Sequence, residues 1–119
     1  MSLTMDITAT YQRGFDHRCN GRYPEARAEL LKVLTANPAH ADAKWQLGLI
    51  QGFEGDFDGS LVTLNQVVTD HPDHVNARYD MAMTMTMLGM ADEACEQFRK
   101  VLELDPSHEN AKKQLQFCP

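Results

Sequence analysis

Apolar residues recur along most of the chain at spacings of three and four, with polar residues between them. That spacing places the apolar side chains on one face of an α-helix, so it predicts a series of amphipathic helices. Two such stretches, 42–54 and 57–70, are separated by a short polar turn that contains Gly55, and Pro72 follows the second. Glycine can adopt the positive φ of a tight turn, and proline stops a helix because it has no amide hydrogen. The pattern therefore predicts two antiparallel helices.

This helical pair is the middle one of three copies, which follow one another every 34 residues without a gap. The period relates glycines, prolines, small residues and large apolar residues: Gly21, Gly55 and Gly89; Pro38, Pro72 and Pro106; Ala26, Ser60 and Ala94; Leu30, Leu64 and Phe98; Val33, Val67 and Val101. The small residues Gly48 and Ser60 are expected where two antiparallel helices approach closely. One helical pair leaves an apolar face that it cannot bury alone, so stacked copies are expected to form a solenoid.

A run of methionines gives one local signal against this interpretation. Residues 81–87 alternate methionine with alanine or threonine, and a period of two favours a strand. The 34-residue register overrules the strand, because the equivalent residues 47–53 do not alternate and methionine is a good helix former. In a helix, Met81 and Met85 face the partner helix, whereas Met83 and Met87 face another surface.

At the repeated positions the chain resembles the tetratricopeptide repeat family. The second copy reads A-D-A-K-W-Q-L-G at 41–48 and G-D-F at 55–57, and the third ends in V-L-E-L-D-P at 101–106. The resemblance implies an all-α fold, a right-handed solenoid of three helix-turn-helix repeats plus a C-terminal capping helix, in a single domain spanning 1–119. The expected bounds of the repeats and of the closing helix are about 7–40, 41–74, 75–108 and 107–117.

Three residues depart from the family pattern. The family usually has a large apolar residue where Arg13 stands, and an aromatic residue or leucine at the positions of His17 and Gln51. Arg13 and His17 belong to the first repeat, and terminal repeats are expected to be atypical. Gln51 lies in the central repeat, where nothing in the sequence accounts for it.

The resemblance also implies a concave groove that is lined by the first helix of each repeat, where family members hold bound peptides. The lining positions are spaced four apart, and the residues carried over are Tyr11, Phe15, Trp45, Leu49, Phe53, Tyr79, Met83 and Met87, with Cys19, Lys113 and Phe117 at equivalent outer positions. Aromatic residues and methionine suit an adaptable protein-binding surface. The competing interpretation is that this stripe packs against neighbouring helices as core.

The expected function is that of a protein–protein interaction module, an adaptor or scaffold that binds a partner peptide or helix in this apolar groove. No motif identifies the partner. A second hypothesis is that the same apolar surface drives self-association, so that the chain is a homo-oligomeric assembly protein. A monomer at micromolar concentration would favour the first hypothesis, and a concentration-dependent dimer would favour the second.

One partner class known for the family is expected to be excluded. Relatives that hold the acidic C-termini of heat-shock chaperones use a clamp of lysine, asparagine and arginine. The matching positions here are Tyr11, Phe15, Gln46, Asn76 and Asp80. A bound carboxylate needs cationic donors, and Asp80 would repel it.

Composition narrows the possible partners and cellular locations of the protein. The net charge is −6 and the 11 basic residues are scattered, so no nucleic-acid partner is expected. No run of 18 apolar residues predicts a membrane span, and residues 1–6 lack the features of a secretory signal. The three cysteines are odd in number and include no C-x-x-C pair, which favours reduced thiols in a cytoplasmic protein.

Catalysis and metal binding find no support in the motifs. His40, His74 and His108 recur every 34 residues, so a whole helical pair separates them and one metal ion cannot reach all three. Their positions just before helices predict a polar or capping role. The chain has no Gly-rich phosphate loop, G-x-S-x-G or H-E-x-x-H motif. We therefore expect no enzyme activity, no cofactor and no metal site.

Overall fold

A computed structural model describes residues 5–119, in which seven helices follow one another: α1 (Ile7–Cys19), α2 (Tyr23–Ala36), α3 (Ala41–Phe53), α4 (Phe57–Asp70), α5 (Val75–Met87), α6 (Ala91–Leu104) and α7 (Glu109–Leu115). Each odd-numbered helix up to α5 packs against the next helix as a hairpin, and the hairpins stack through α2 on α3 and α4 on α5. The short helix α7 packs on α6. The predicted all-α, right-handed solenoid of three helical hairpins and a capping helix is confirmed.

Residues 1–4, which belong to the stretch predicted to lack a secretory signal, lie outside the described residues. Between residues 5 and 119, no helix is long and apolar enough to cross a membrane.

Glycine closes the turn inside each hairpin, as the sequence predicted for Gly55. Gly21, Gly55 and Gly89 have φ values of 74°, 87° and 77°, a region that residues with a side chain rarely adopt. Because the three turns share one geometry, each hairpin directs its second helix in the same way. The solenoid is therefore regular, and it extends over 60 × 27 × 21 Å.

The residues that repeat every 34 positions form the centre of the core. Leu30, Leu64 and Phe98 occupy equivalent points of α2, α4 and α6, and none is more than 2% exposed. The valines one turn later, at 33, 67 and 101, are equally buried. Burying one large apolar side chain stabilises a fold by about 1.5–3 kcal/mol. The sequence periodicity thus marks the contacts that hold the hairpins together.

The helices of the central hairpin come close together at two small residues. Gly48 on α3 faces Leu64 on α4, and the Ser60 hydroxyl donates a 2.8 Å hydrogen bond to the Gly48 carbonyl oxygen. Both Gly48 and Ser60 are buried. This confirms the predicted role of the small residues.

The methionine run is helical throughout, since α5 ends at Met87. Met81 is 2% exposed, and Met85 packs against the same apolar cluster. Met83 is half-buried, and Met87 is 64% exposed on the other side of the helix. The predicted helix is confirmed, but its faces differ from the prediction: Met81 packs with Leu64 and Val67 of α4 in the preceding repeat, and Met83 packs on the cluster that α5 forms with α6.

The three periodic histidines cap helices, as predicted. The Nδ1 atom of each accepts a hydrogen bond from the backbone amide three residues later, at 3.0 Å for His40 and His74 and 3.1 Å for His108. Each imidazole also lies 4.8–5.4 Å from an aromatic ring of the preceding repeat, in the pairs Tyr11–His40, Trp45–His74 and Tyr79–His108. Each of these histidine side chains therefore caps the start of a helix and also contacts the neighbouring repeat.

Replacing His74 with alanine should lower the free energy of unfolding by about 1 kcal/mol, because α5 loses its N-terminal cap. His74→Asn keeps an acceptor and should recover part of the loss. The matched control is His71→Ala in the same loop, since no side-chain hydrogen bond of His71 is found in residues 5–119. Urea denaturation measures all three variants. Equal losses for His71→Ala and His74→Ala would contradict the capping role.

Side-chain hydrogen bonds account for two of the three departures from the family pattern. The Arg13 guanidinium bonds the Glu29 carboxylate at 3.3 Å and the Thr10 hydroxyl at 3.0 Å. The Gln51 side-chain oxygen accepts a 2.6 Å bond from the Thr63 hydroxyl across the central hairpin. A polar pair thus takes the place of an apolar contact at Gln51.

The expectation of three reduced thiols is wrong for two cysteines. Cys95 on α6 and Cys118, just beyond α7, form a disulfide with their Cα atoms 5.9 Å apart. The bridge arises because α7 packs back on α6, which joins residues that are 23 positions apart in sequence. Cys19 is a free, exposed thiol. Disulfides persist in oxidising compartments, so this pair weighs against the cytoplasmic location, which stays a prediction.

Candidate partner-binding groove

The first helices of the three repeats lie side by side along one face of the solenoid. Within the described residues α1 contacts α3 and α3 contacts α5, whereas the second helices α2, α4 and α6 are further apart from one another. The face formed by α1, α3 and α5 is therefore the concave one. The eight predicted groove residues all belong to these three helices.

Five of the predicted groove residues surround one open cavity of about 280 Å³ between α3 and α5. These residues are Leu49, Phe53, Tyr79, Met83 and Met87. Phe57, at the start of α4, adds a further apolar wall, and Asp80 is the charged member of the lining. Phe53 and Met87 are 56% and 64% exposed, which is high for large apolar side chains. The cavity is a shallow, mostly apolar trough on the concave face.

The other three predicted residues lie outside this cavity. Tyr11 and Trp45 are half-buried between repeats, where they contact the capping histidines. The Tyr11 hydroxyl accepts a 3.3 Å hydrogen bond from Gln46. Phe15 lies beside Tyr11, with ring centroids 6.5 Å apart. Packing between repeats therefore buries much of the side-chain surface of Tyr11 and Trp45.

The equivalent positions at the two ends of the groove add little to it. Cys19 and Lys113 are exposed. Phe117 follows the end of α7 rather than lying in it, and is 83% exposed. Its ring faces a small cavity beside Ala91 and Cys95, on the side of α6. The closing helix is too short to carry the groove pattern to Phe117.

Arg18 is a groove residue that sequence reasoning missed. Its guanidinium lies 5.1 Å from the ring centre of Phe15 and 6.0 Å from that of Phe53, and its Nε donates to the Gln46 side-chain oxygen. The four-residue spacing rule passes over position 18. A long side chain can nevertheless extend along an apolar surface and place its charge some distance away.

Asp80 brings a carboxylate into the apolar cavity. Trp45 donates its indole N–H to Oδ2 of this carboxylate at 2.7 Å. Burial raises the pKa of Asp80, although the Trp45 hydrogen bond and the nearby Arg18 act in the opposite direction. Burial also raises the pKa of the adjacent Tyr79, with a further contribution from the Asp80 charge. The groove thus holds a partly desolvated negative charge.

A larger cavity of about 390 Å³ lies elsewhere, at the loops between the first and second repeats. Its lining includes Lys44, Asp70 and His71, and is more polar than that of the groove. No group of three or more His, Cys, Asp or Glu side chains in residues 5–119 is placed to hold a metal ion. We therefore take the apolar cavity on the concave face as the candidate site.

Sequence comparison identifies the repeats independently of their geometry. The family model described as Tetratricopeptide repeat matches residues 54–116, which is more than half of the chain. The curated proteins contain no match to this sequence.

Solved structures share the architecture. The first TPR of Spaghetti (RPAP3), bound to the HSP90 peptide SRMEEVD, is 20% identical with a TM-score of 0.88, and the match covers 92% of this chain and 89% of that one. The second TPR domain of human RPAP3, in complex with the HSP70 peptide SGPTIEEVD, is 20% identical with a TM-score of 0.82 and 92% coverage of both chains. YrrB, a TPR protein with an unusual peptide-binding site, is 29% identical with a TM-score of 0.75, over 92% of this chain and 57% of YrrB.

Proposed function

Because the chain belongs to the tetratricopeptide repeat family, we propose that it is an adaptor or scaffold whose concave groove binds a segment of a partner protein. One observation carries the proposal. Apolar side chains from two repeats, among them the exposed Phe53 and Met87 and the half-buried Met83, converge on one open cavity. Surfaces of this kind release water when an apolar partner covers them. The proposed activity is binding without catalysis.

The size of the cavity suggests the strength of binding. A trough of about 280 Å³ accommodates a few side chains of a helix or an extended segment. Small interfaces of this kind belong to transient complexes. We therefore expect a dissociation constant in the micromolar range, corresponding to about −8 kcal/mol.

A selection from a library of random peptides displayed on phage tests the proposal. Selected peptides should be rich in apolar residues, and a synthetic copy should bind with micromolar affinity. Trp45 is the only tryptophan in the chain and contacts Asp80 of the cavity lining, so its fluorescence can report the titration. Recovery of no binding peptide, or of peptides that bind equally well when the cavity is altered, would contradict the proposal.

Self-association is the second candidate function, because the exposed apolar residues extend beyond the groove. Leu31 and Val62, on the second helices, are 49% and 59% exposed. Sedimentation velocity from roughly 1 to 100 µM, the range in which weak interfaces form, separates the two functions. We expect a monomer throughout this range. A reversible dimer that is disrupted by Trp45→Ala or Met83→Glu in the groove, or by Val62→Glu on the outer face, would instead make self-assembly the leading function.

The exclusion of acidic chaperone peptides stays a prediction. Two similar structures hold such peptides, but at 20% identity the likeness establishes the fold alone. Arg18 supplies one cation near the groove, whereas Asp80 places a negative charge in the cavity itself. In the titration above, the peptide SRMEEVD serves as the acidic comparison, and it should bind more weakly than a selected apolar peptide.

A further inference from the structure

The third repeat differs from the others at one position of its first helix. Asp80 corresponds to Gln12, Gln46 and Gln114 in the 34-residue register. Gln46 is fully buried, and its side-chain amide donates a hydrogen bond to Tyr11 of the preceding repeat, whereas Asp80 accepts one from Trp45. A neutral amide therefore suffices for the contact between repeats. The carboxylate of Asp80 is not required for stacking, and it introduces a charge that glutamine would not.

The hydrogen bonds of Asp80 leave half of its carboxylate without a donor. Within residues 5–119, Trp45 is the donor to Oδ2, and Oδ1 accepts no hydrogen bond. Asp80 also takes part in no ion pair there. Burial raises the pKa of this carboxyl, which reflects the cost of removing the charge from water. A partly buried carboxylate with an open oxygen is a strong hydrogen-bond acceptor.

The cationic groups nearest to Asp80 are engaged elsewhere. Arg18 donates to Gln46, and the Nε2 atom of His74 lies 2.7 Å from Oδ1 of Asp42. His108 caps α7 through its Nδ1 atom. All three groups lower the pKa of Asp80 through space, but none of them bonds its carboxylate. The counter-ion that would complete this site is therefore absent from the described part of the chain.

The walls around Asp80 suit a long, partly apolar side chain. Leu49, Tyr79 and Met83 border the same cavity, so an approaching side chain would pass apolar surface before it reached the carboxylate. Lysine and arginine have this form, with a methylene stem and a cationic end. The chain also carries a net charge of −6, which attracts basic partners at long range.

We propose that the groove recognises a lysine or arginine side chain within the apolar partner segment, with its cationic end on Asp80 and its stem in the cavity. This inference rests on the proposed function and specifies its ligand. The occupant is an apolar protein segment that carries one basic residue at a fixed place, rather than an acidic C-terminus.

Parallel peptide selections on the wild-type chain and on Asp80→Asn test the inference. Asparagine keeps an oxygen acceptor for Trp45 and removes only the charge. Peptides selected on the wild-type chain should carry lysine or arginine at a fixed distance from their apolar residues, and those selected on Asp80→Asn should not. For one wild-type peptide, replacing the basic residue with glutamine should weaken binding roughly tenfold. The same replacement should change affinity for Asp80→Asn less than twofold, as a double-mutant cycle would show.

The outcomes separate this inference from the proposed function. Apolar peptides without a preferred basic residue, or a cycle with no coupling to Asp80, would overturn the inference and leave the groove as a binding site. Failure to select any peptide on either protein would overturn the proposed function and the inference together. Coupling that persists in Asp80→Gln would also contradict the inference, because glutamine is the residue of the other repeats.

The stability of Asp80→Asn provides a readout that does not depend on a ligand. A carboxyl whose pKa is raised by folding contributes full stability below its unfolded-state pKa and loses it as the pH rises through the folded-state pKa. The wild-type chain should therefore lose stability as the pH rises through the folded-state pKa of Asp80, and Asp80→Asn should lack this loss. Urea denaturation of both proteins over a pH series measures the difference. The same pH dependence in both proteins would contradict a partly buried, charged Asp80.

Discussion

Replacing Phe53 with alanine is expected to weaken binding of a selected apolar peptide by about 30-fold, which corresponds to roughly 2 kcal/mol. Phe53 lines the cavity and is 56% exposed, so a bound segment would cover much of its ring. Large aromatic residues at the centre of a small interface provide most of its binding energy. Titration of the wild-type and variant chains with the same peptide measures the effect.

The matched control for Phe53→Ala is Val62→Ala on α4. Val62 is 59% exposed, comparable with Phe53, but it belongs to a second helix on the opposite side of the hairpin. Its replacement should leave peptide affinity unchanged within about twofold. Denaturation midpoints of both variants show whether the fold is intact. A loss of affinity in Val62→Ala as large as in Phe53→Ala would place the partner outside the groove.

Gly48→Ala is expected to destabilise the central hairpin by about 1–3 kcal/mol. Alanine favours a helix over glycine by about 1 kcal/mol, so helix propensity alone predicts the opposite sign. Packing decides the result, because a Cβ atom on Gly48 would lie 2.6 Å from Cδ2 and 2.8 Å from Cγ of Leu64. Cγ is the branching atom of a fully buried side chain, so the clash is relieved only if α3 and α4 move apart.

Gly52→Ala provides the control for this prediction within the same helix. A Cβ atom on Gly52 would meet the Ser60 hydroxyl oxygen at 3.5 Å, which is an ordinary contact. The gain in helix propensity should then remain, and the free energy of unfolding should stay the same or rise by up to about 1 kcal/mol. Urea denaturation of both variants measures the difference. Equal effects of the two substitutions would show that the close approach at Gly48 does not limit the packing of α3 on α4.

Features that repeat along the chain could be predicted from its sequence. The period of 34 residues predicted the hairpins, the positive-φ turns such as Gly55 and the capping histidines, because the same contacts recur in each repeat. The register also overruled the strand-like alternation of Met81 to Met87, which is helical in the structure. Periodicity reports what all repeats share.

Features that occur once could not be predicted in this way. The Cys95–Cys118 disulfide depends on the packing of α7 back on α6, which the spacing of residues in the sequence does not predict. The bond between Gln51 and Thr63 joins two side chains whose proximity appears only when α3 meets α4. Arg18 reaches the groove because its side chain is long, although its position in the register points elsewhere.

The candidate site was only partly predictable for the same reason. The family resemblance placed all eight residues on the first helices, but it could not distinguish side chains that line open space from those that pack between repeats. Trp45 illustrates this limit, since its indole is committed to Asp80 and His74. The sequence gives the Asp80 charge a role only in rejecting acidic peptides, whereas in the structure Asp80 is the charged residue of the cavity lining.

We propose that a partner segment binds in the groove between α3 and α5. The most direct test is an NMR titration of the isotopically labelled chain with a selected peptide. Shifts should concentrate at Leu49, Phe53, Met83 and the Trp45 indole, while residues on the outer faces of α2, α4 and α6 stay unchanged. Shifts confined to those outer faces, or none at a saturating peptide concentration, would contradict the claim.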